Sequence, residues 1–276
     1  MRFVGGHVSI AGGLPYAIDN TLKINGSCMQ IFAGSPRLWM RKPFPEADVK
    51  TFLNGVDKHQ LGPTYIHALY LVNLASDNQE LLQKSIDSLV MDLQNGERIN
   101  SAGVIVHIGS HQGRGFDTVK EQLVAVIQRI LDLTNTTPLI LENDAGQNGK
   151  IGSLEELAFL TSSIKDDRLK VCLDTAHLFE SGYDLRSVSE VEKLIQSLKD
   201  INILNKISCL HLNDSATKLD SHRDMHANLG QGEIGLDGLR NFVNHQSLIS
   251  LPLLLEVPGD DKTGPNLHNI TLAQSL

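Results

Sequence analysis

Eight short apolar segments recur along the chain, separated by longer amphipathic stretches, and this alternation constrains the fold more than any other feature. The apolar segments are residues 3–7, 29–33, 64–67, 104–107, 139–142, 171–174, 207–211 and 253–256. Each is short enough for a buried strand. Helical periodicity lies between them, over residues 47–59, 80–93, 119–133, 154–164, 188–198 and 236–243. Alternation of this kind predicts an α/β fold with a parallel sheet, and eight repeats suit a closed barrel better than an open sheet. We therefore expect a single (β/α)₈ TIM barrel spanning residues 1–276, with no Pro/Ser-rich linker to divide it.

The composition excludes several classes. With 41% hydrophobic and 20% charged residues in 276, the chain is neither disordered nor coiled-coil, and no apolar run approaches a membrane span. The opening MRFVGGHVSI has neither a basic lead nor a long apolar stretch, so it is expected to form the first strand and not a signal peptide. Cys28, Cys172 and Cys209 sit within apolar runs without CxxC spacing. That pattern implies reduced, buried thiols and a cytoplasmic protein. A net charge of −8 argues against a nucleic-acid partner unless a local positive face supplies the attraction.

The apolar segments end in an unusual way. His7, His67, His107, Glu142, Asp174, His211 and Glu256 each stand at the carboxyl end of one of them. In a barrel those ends share one rim, where the βα loops begin and where reactive groups gather. A single rim histidine is most often a hydrogen-bonded structural residue. Several imidazoles and carboxylates converging on one rim, however, are costly to desolvate unless a cation neutralises them. Imidazole nitrogen and carboxylate oxygen without thiolate suit Zn²⁺, Mn²⁺ or Fe²⁺ more than Ca²⁺ or Mg²⁺. His177, three residues past Asp174, and the pair Asp224 and His226 enlarge the set and could hold another ion. The glycine-rich pieces GGHVSIAGG and GQGEIG follow neither Walker nor dinucleotide spacing, so a phosphate-loop reading is rejected.

The stretches GGHVSIAGGLPYAI, IHALYLVNLAS, VHIGSHQGRG, LENDAGQ, CLDTAHLFESGYDL, CLHLND, DMHANLGQGEIG and LLLEVPGDD run in order over nearly the whole chain. This ordered set resembles the endonuclease IV family of abasic-site endonucleases. The resemblance implies a (β/α)₈ barrel carrying three Zn²⁺ ions, with Mn²⁺ or Fe²⁺ as alternatives at some positions. It assigns His67, His107 and Glu142 to the first ion. Glu142 bridges to a second, held also by Asp174, His211 and Glu256, and His177, Asp224 and His226 hold the third. The implied reaction is hydrolysis of the phosphodiester 5′ to an abasic site in duplex DNA, leaving a 3′-hydroxyl, with trimming of blocked 3′ ends as a secondary activity. In it Glu142 orients the nucleophile. A monomer is implied as well.

Arg37, in AGSPRLW, and Tyr70 match family positions that enter or line the DNA. Tyr70 could equally be core, whereas Arg37 beside Pro36 and Trp39 reads as an exposed loop. His7 and His111 are either groups that orient ligands through hydrogen bonds or ordinary rim histidines. His59, His222, His245 and His268 are expected on the surface. The sequence departs from the family at Leu69 and Ile108, where proline is usual, at Asp144 in place of threonine, at Met225 in place of arginine, and at Gln231 in place of glutamate. Loss of the arginine removes a phosphate contact while keeping the ligand spacing.

Two rivals stand beside this reading. A sugar isomerase or epimerase resembling xylose isomerase would use Glu142, Asp174, His211 and Glu256 for one metal and leave the remaining donors without a role. A zinc-stabilised barrel that binds damaged DNA or a protein partner without cutting would not need so open a ligand set.

Overall fold

The computed structural model describes residues 2–276, and in it strand and helix alternate around a closed parallel barrel. The chain runs Val4–His7 (β1), Tyr16–Lys23 (α1), Cys28–Phe32 (β2), Glu46–His59 (α2), Thr64–His67 (β3), Gln79–Arg98 (α3) and Gly103–Val106 (β4). It continues through Phe116–Asp132 (α4), Leu139–Glu142 (β5), Leu154–Ser163 (α5), Leu169–Asp174 (β6), Thr175–Glu180 (α6), Val188–Asp200 (α7) and Ile207–His211 (β7). A two-stranded ribbon, Asp214–Ser215 (β8) and His226–Ala227 (β9), precedes Gly235–Val243 (α8), Leu253–Leu255 (β10) and Leu267–Gln274 (α9). Around the barrel the order is β1, β10, β7, β6, β5, β4, β3, β2, each strand parallel to its neighbours.

All eight expected strands form, and the six expected helices form within a few residues of their expected bounds, α3 running on to Arg98. Asn78 accepts from the backbone N–H groups of Glu80 and Leu81 and so starts α3. Ser153 and Glu156 form a reciprocal capping box on α5. Each such cap stabilises its helix by about 1 kcal/mol. Three helices were not expected. α1, α6 and α9 have eight, six and eight residues, too few turns for a periodic signal to emerge.

Side chains alternate across each strand, so residues two apart point the same way. The barrel floor is a small apolar cluster of Cys28, Tyr65, Ile105, Ile140, Cys172, Cys209 and Leu254, one from each of seven strands. β1 contributes Gly5, where a Cβ would collide with the Cys28 carbonyl. Two residues further along the same strands stand His7, Gln30, His67, His107, Glu142, Asp174, His211 and Glu256. The ring of polar groups at the mouth is thus set by the same phase that fills the floor. A larger apolar cluster packs the outer strand faces against the helices, including Phe52, Phe179 and Phe242. The cysteines are free and buried, and no helix among the described residues is long and apolar enough to cross a membrane.

Candidate metal centre

Strand register places the first contacts. Asp174 pairs with His211 across β6 and β7, and Glu142 stands beside Cys172 across β5 and β6. Glu142 is fully buried and becomes the hub: its Oε1 lies 2.7 Å from His211 Nδ1, and its Oε2 lies 3.2 Å from His67 Nε2 and 3.5 Å from His107 Nε2. His211 Nδ1 is also 3.3 Å from Glu256 Oε2 and 3.8 Å from Asp174 Oδ2. Beyond the strands, Asp174 caps α6, accepting from the backbone N–H groups of Ala176 and His177, and this turn sets His177 beside it. The β8–β9 ribbon pairs Ser215 with His226 and returns His226 to the mouth, 3.5 Å from Asp174 Oδ2.

Three groups of donors result, each drawn from atoms within 4.8 Å of one another: His67, His107 and Glu142; Glu142, Asp174, His211 and Glu256; and Asp174, His177 and His226. Asp224 faces the last group from its open side, with Oδ1 3.3 Å from His177 Nε2 and 3.7 Å from His226 Nε2. Its side chain is 43% exposed, whereas Asp174 is buried between the second and third groups.

The ring nitrogens are oriented for cations. Ala68 O and Asn143 O can only accept, so His67 Nδ1 at 2.8 Å and His177 Nδ1 at 2.9 Å must carry the hydrogen and donate to them. Each imidazole then turns its Nε2 into the site, where it donates to a carboxylate when protonated and can bind a cation once the proton is lost. Gln30 fixes a third ring. Its Nε2 donates to Glu256 Oε1 at 2.6 Å, so its Oε1 accepts from His211 Nε2 at 2.8 Å and leaves His211 Nδ1 facing the carboxylates. His177 Nε2 lies 3.4 Å from His226 Nε2. Two nitrogens so placed between two carboxylates fit a shared cation. Donor chemistry, spacing and ring orientation all match nitrogen- and oxygen-binding divalent metals.

The electrostatics agree. Burial alone would push Glu142 up, but the charges of His107 and His211 and hydrogen bonds from His211 and His67 hold it well below the ordinary carboxylate range. Burial lowers His211, yet Glu256, Glu142 and Asp174 raise it to about 10. For Asp224, burial is outweighed by the hydrogen bond from His177 and the charges of His177, His226 and His107, and the carboxyl falls to about 2. The carboxylates therefore demand positive charge at the mouth.

A cavity of about 810 Å³ opens above these groups, lined by His67, Tyr70, His107, His177, Asp224 and Glu256 among others. Tyr70 is 61% exposed, which decides against its being core, and its ring packs edge-on to Phe32 at 5.4 Å. Arg37 lies on the exposed β2–α2 loop, as expected. His7 sits beside the second group, 3.5 Å from Glu256 Oε1, and receives a hydrogen bond from Gln30 at 2.9 Å. His111 stands apart from the donors, where its Nδ1 accepts from Gly115 N at 3.1 Å and shapes a loop. His245 corrects the surface expectation: its side chain is only 7% exposed, because Nδ1 accepts from Ser247 N while Nε2 lies 3.3 Å from Glu192. Leu69 and Ile108 are buried, while Met225 and Gln231 are exposed.

Four supporting residues were not anticipated. Beside Gln30, Asn143 Oδ1 accepts from Asp174 N at 2.7 Å, and Asn213 donates to Asp174 Oδ2 at 2.6 Å while accepting from Glu256 N at 2.8 Å. Glu180 Oε1 accepts from Ser215 Oγ, Thr217 Oγ1 and Met225 N at 2.7, 3.2 and 3.2 Å, and so holds the segment leading to Asp224 and His226.

Comparison with known proteins agrees with this architecture. Residues 18–274 match the model of the xylose isomerase-like TIM barrel family. A protein of Halothermothrix orenii named probable endonuclease 4 is 38% identical over 265 residues, covering 94% of this chain and 95% of that protein. Its counterpart from Haloquadratum walsbyi is 35% identical over 99% of this chain and 98% of its own. The crystal structure of endonuclease IV from Thermus thermophilus superposes with a TM-score of 0.86 at 34% identity, covering 99% of this chain and all of that one. A D-tagatose 3-epimerase-like protein, at 17% identity and a TM-score of 0.69, shares the fold. With its barrel, its mouth and near-full-length relatives in agreement, the chain belongs to the endonuclease IV family within the xylose isomerase-like TIM barrels.

Proposed function

We propose that this protein is a metal-dependent DNA-repair endonuclease that hydrolyses the phosphodiester 5′ to abasic sites in duplex DNA, leaves a 3′-hydroxyl, and trims blocked 3′ ends. The observation that carries this reading is the sharing of Glu142 and Asp174 between adjacent donor groups, which makes one continuous cluster of three sites. His67, His107 and Glu142 would hold one ion; Glu142, Asp174, His211 and Glu256 a second; Asp174, His177 and His226, with Asp224 at the open side, a third. Zn²⁺ is the expected metal, with Mn²⁺ or Fe²⁺ as alternatives. Such ions make hydroxide available from bound water near neutral pH and neutralise charge on the attacking and leaving oxygens.

The chain's own groups supply the rest. Glu142, in reach of both the first and second donor groups, orients the nucleophile. Tyr70 offers an exposed ring at the mouth, and Arg37 a cation on the loop beside it. Net charge −8 is compatible with a DNA partner when bound cations and this loop provide the local attraction. An abasic sugar, lacking a base to unstack, is the cheapest nucleotide to turn out of a duplex into such a mouth.

The test is incubation of the zinc-loaded protein, without added Mg²⁺, with a duplex carrying one tetrahydrofuran abasic analogue and with an undamaged duplex. Incision 5′ to the analogue, leaving a 3′-hydroxyl, is expected. The analogue blocks the lyase route, so an uncut duplex overturns the assignment.

A further inference from the structure

Among the described residues, one buried ion pair stands away from the donor cluster. Arg41, at the end of the β2–α2 loop, and Asp92, inside α3, bring Nε and Oδ1 to 3.1 Å with side chains 2% and 0% exposed. The pair is not aligned as a hydrogen bond: Arg41 Nε and both Asp92 oxygens have no hydrogen-bond partner. Buried pairs of this kind add little to stability, and apolar side chains of similar size often do as well or better. Its value lies in what else the guanidinium touches. Arg41 Nη1 donates to Ser35 O, Leu38 O and Met40 O at 2.9, 3.2 and 3.5 Å, so three carbonyls on either side of Arg37 turn towards one group.

The same stripe of α3 holds the chain that follows. Asn95 Nδ2 donates to Lys42 O at 3.0 Å and its Oδ1 accepts from Phe44 N at 2.8 Å. Arg98 Nη2 donates to Phe44 O at 2.9 Å and meets Glu46 at 2.8 Å. Residues 92, 95 and 98 recur at helical spacing, so one face of α3 grips consecutive backbone groups. The loop's far side is tied as well, because Tyr70 N donates to Pro36 O at 3.2 Å. A loop without secondary structure of its own is thus held at both ends of the segment that carries Arg37.

We propose that Asp92 and Arg41 are positioning residues for substrate binding: α3 tethers the Arg37 loop through them, so that the loop meets duplex DNA already ordered at the edge of the mouth. This rests on the reading of the Arg37 loop as a DNA contact. Preordering matters because a loop that must be immobilised on binding loses affinity in proportion to the freedom it gives up.

The test uses the metal-loaded protein and the double variant Arg41→Met/Asp92→Leu, which replaces the pair with apolar volume, together with Arg41→Lys, which keeps the charge but not the planar fork. Tryptic cleavage at the exposed Arg37–Leu38 bond should be roughly tenfold faster in the double variant, with a smaller change in Arg41→Lys. For the abasic duplex, KM should rise about tenfold while kcat and bound metal stay close to wild type. Unchanged proteolysis would show that the pair does not order the loop and would overturn the tether. Faster proteolysis with an unchanged KM would overturn the binding role, and would place the failure in the DNA reading of Arg37. If the double variant does not fold, the same two measurements on Arg41→Lys decide the matter.

Discussion

His211 Nδ1 stands 2.7 Å from Glu142 Oε1, with both side chains fully buried, and Glu142 belongs at once to this donor group and to that of His67 and His107. Because the carboxylate also reaches His67 and His107, its charge balances three imidazoles at once. The first prediction concerns that charge. Glu142→Gln keeps the side-chain volume but removes the negative centre and one acceptor. Incision of the abasic duplex should fall by at least about 10²-fold, while far-UV circular dichroism stays that of the wild type. Activity within a few-fold of wild type would remove Glu142 from the mechanism.

Gln30 gives the second prediction. Its amide oxygen holds the Nε2–H of His211, and its amide nitrogen holds Glu256. Gln30→Leu leaves both unpaired in a buried setting and frees the imidazole to adopt the wrong tautomer. Metal affinity should weaken by about 10- to 100-fold, read by competition with a chromophoric chelator, without any assay of turnover. Equal affinity in variant and wild type would make Gln30 mere packing.

Gln30 also shows where the sequence stops being legible. The barrel, its eight strands and the donors at six strand ends follow from alternation and from the placement of polar residues after apolar runs. The rule "look at the strand end" misses β2, because that strand continues to Phe32 and its inward polar residue lies mid-strand. The phase Cys28–Gln30, read beside Cys209–His211, would have found it. Asn143, Asn213 and Glu180 were hidden for another reason: they act by bonding to backbone and to other ligands, which no spacing along the chain reveals. His245 looked like a surface histidine, yet Glu192 and Ser247, on other parts of the chain, cover it.

Removing metal should expose how the mouth is balanced. Glu142, Asp174 and Glu256 are gathered around His211, and protons alone must offset them when no cation is bound. Binding to the native state only stabilises it by mass action, so exhaustive chelation should lower the melting temperature and abolish incision. Zn²⁺ should restore both, and Mg²⁺, which prefers all-oxygen sites, should not. The restored protein should contain about three equivalents of zinc, following the three donor groups. One equivalent would instead favour a sugar isomerase-like enzyme using Glu142, Asp174, His211 and Glu256 alone.

The Arg41–Asp92 pair makes stability depend on pH in a definite direction. Burial pushes the Asp92 carboxyl up from 3.8 to about 7, while the charges of Arg41, on the loop, and His67, on β3, pull it the other way without prevailing. The native state therefore keeps a proton that the unfolded chain releases at lower pH. Between about pH 4 and 7 the unfolded state binds fewer protons, so this group's contribution to stability is present in acid and is lost as pH rises. Fully expressed, the loss is about 4 kcal/mol. Urea midpoints of metal-loaded wild type and Asp92→Asn, measured from pH 5 to pH 8, isolate the group. Relative to the variant, the wild type should weaken by about 2 kcal/mol between pH 5 and 7. Parallel pH curves would mean that Asp92 is ionised throughout.

Met225 carries the last prediction. It lies between Asp224 and His226 at the mouth, is 44% exposed, and replaces the arginine that the family resemblance leads one to expect. An apolar side chain there neutralises no phosphate, so affinity for duplex rests more heavily on the Arg37 loop and the bound cations. Met225→Arg should add one phosphate contact without touching a metal donor, because the backbone N–H of residue 225, and not its side chain, is what Glu180 holds. Binding to the abasic duplex should tighten several-fold at low salt, and the slope of log K against log salt should steepen by about 0.9, the amount for one additional neutralised phosphate. Binding isotherms at several salt concentrations measure both, using Glu142→Gln as the background in each case so that the substrate survives. If the slope does not change, residue 225 does not face the DNA backbone, and the duplex must approach the mouth from the side of Tyr70 and Arg37 alone.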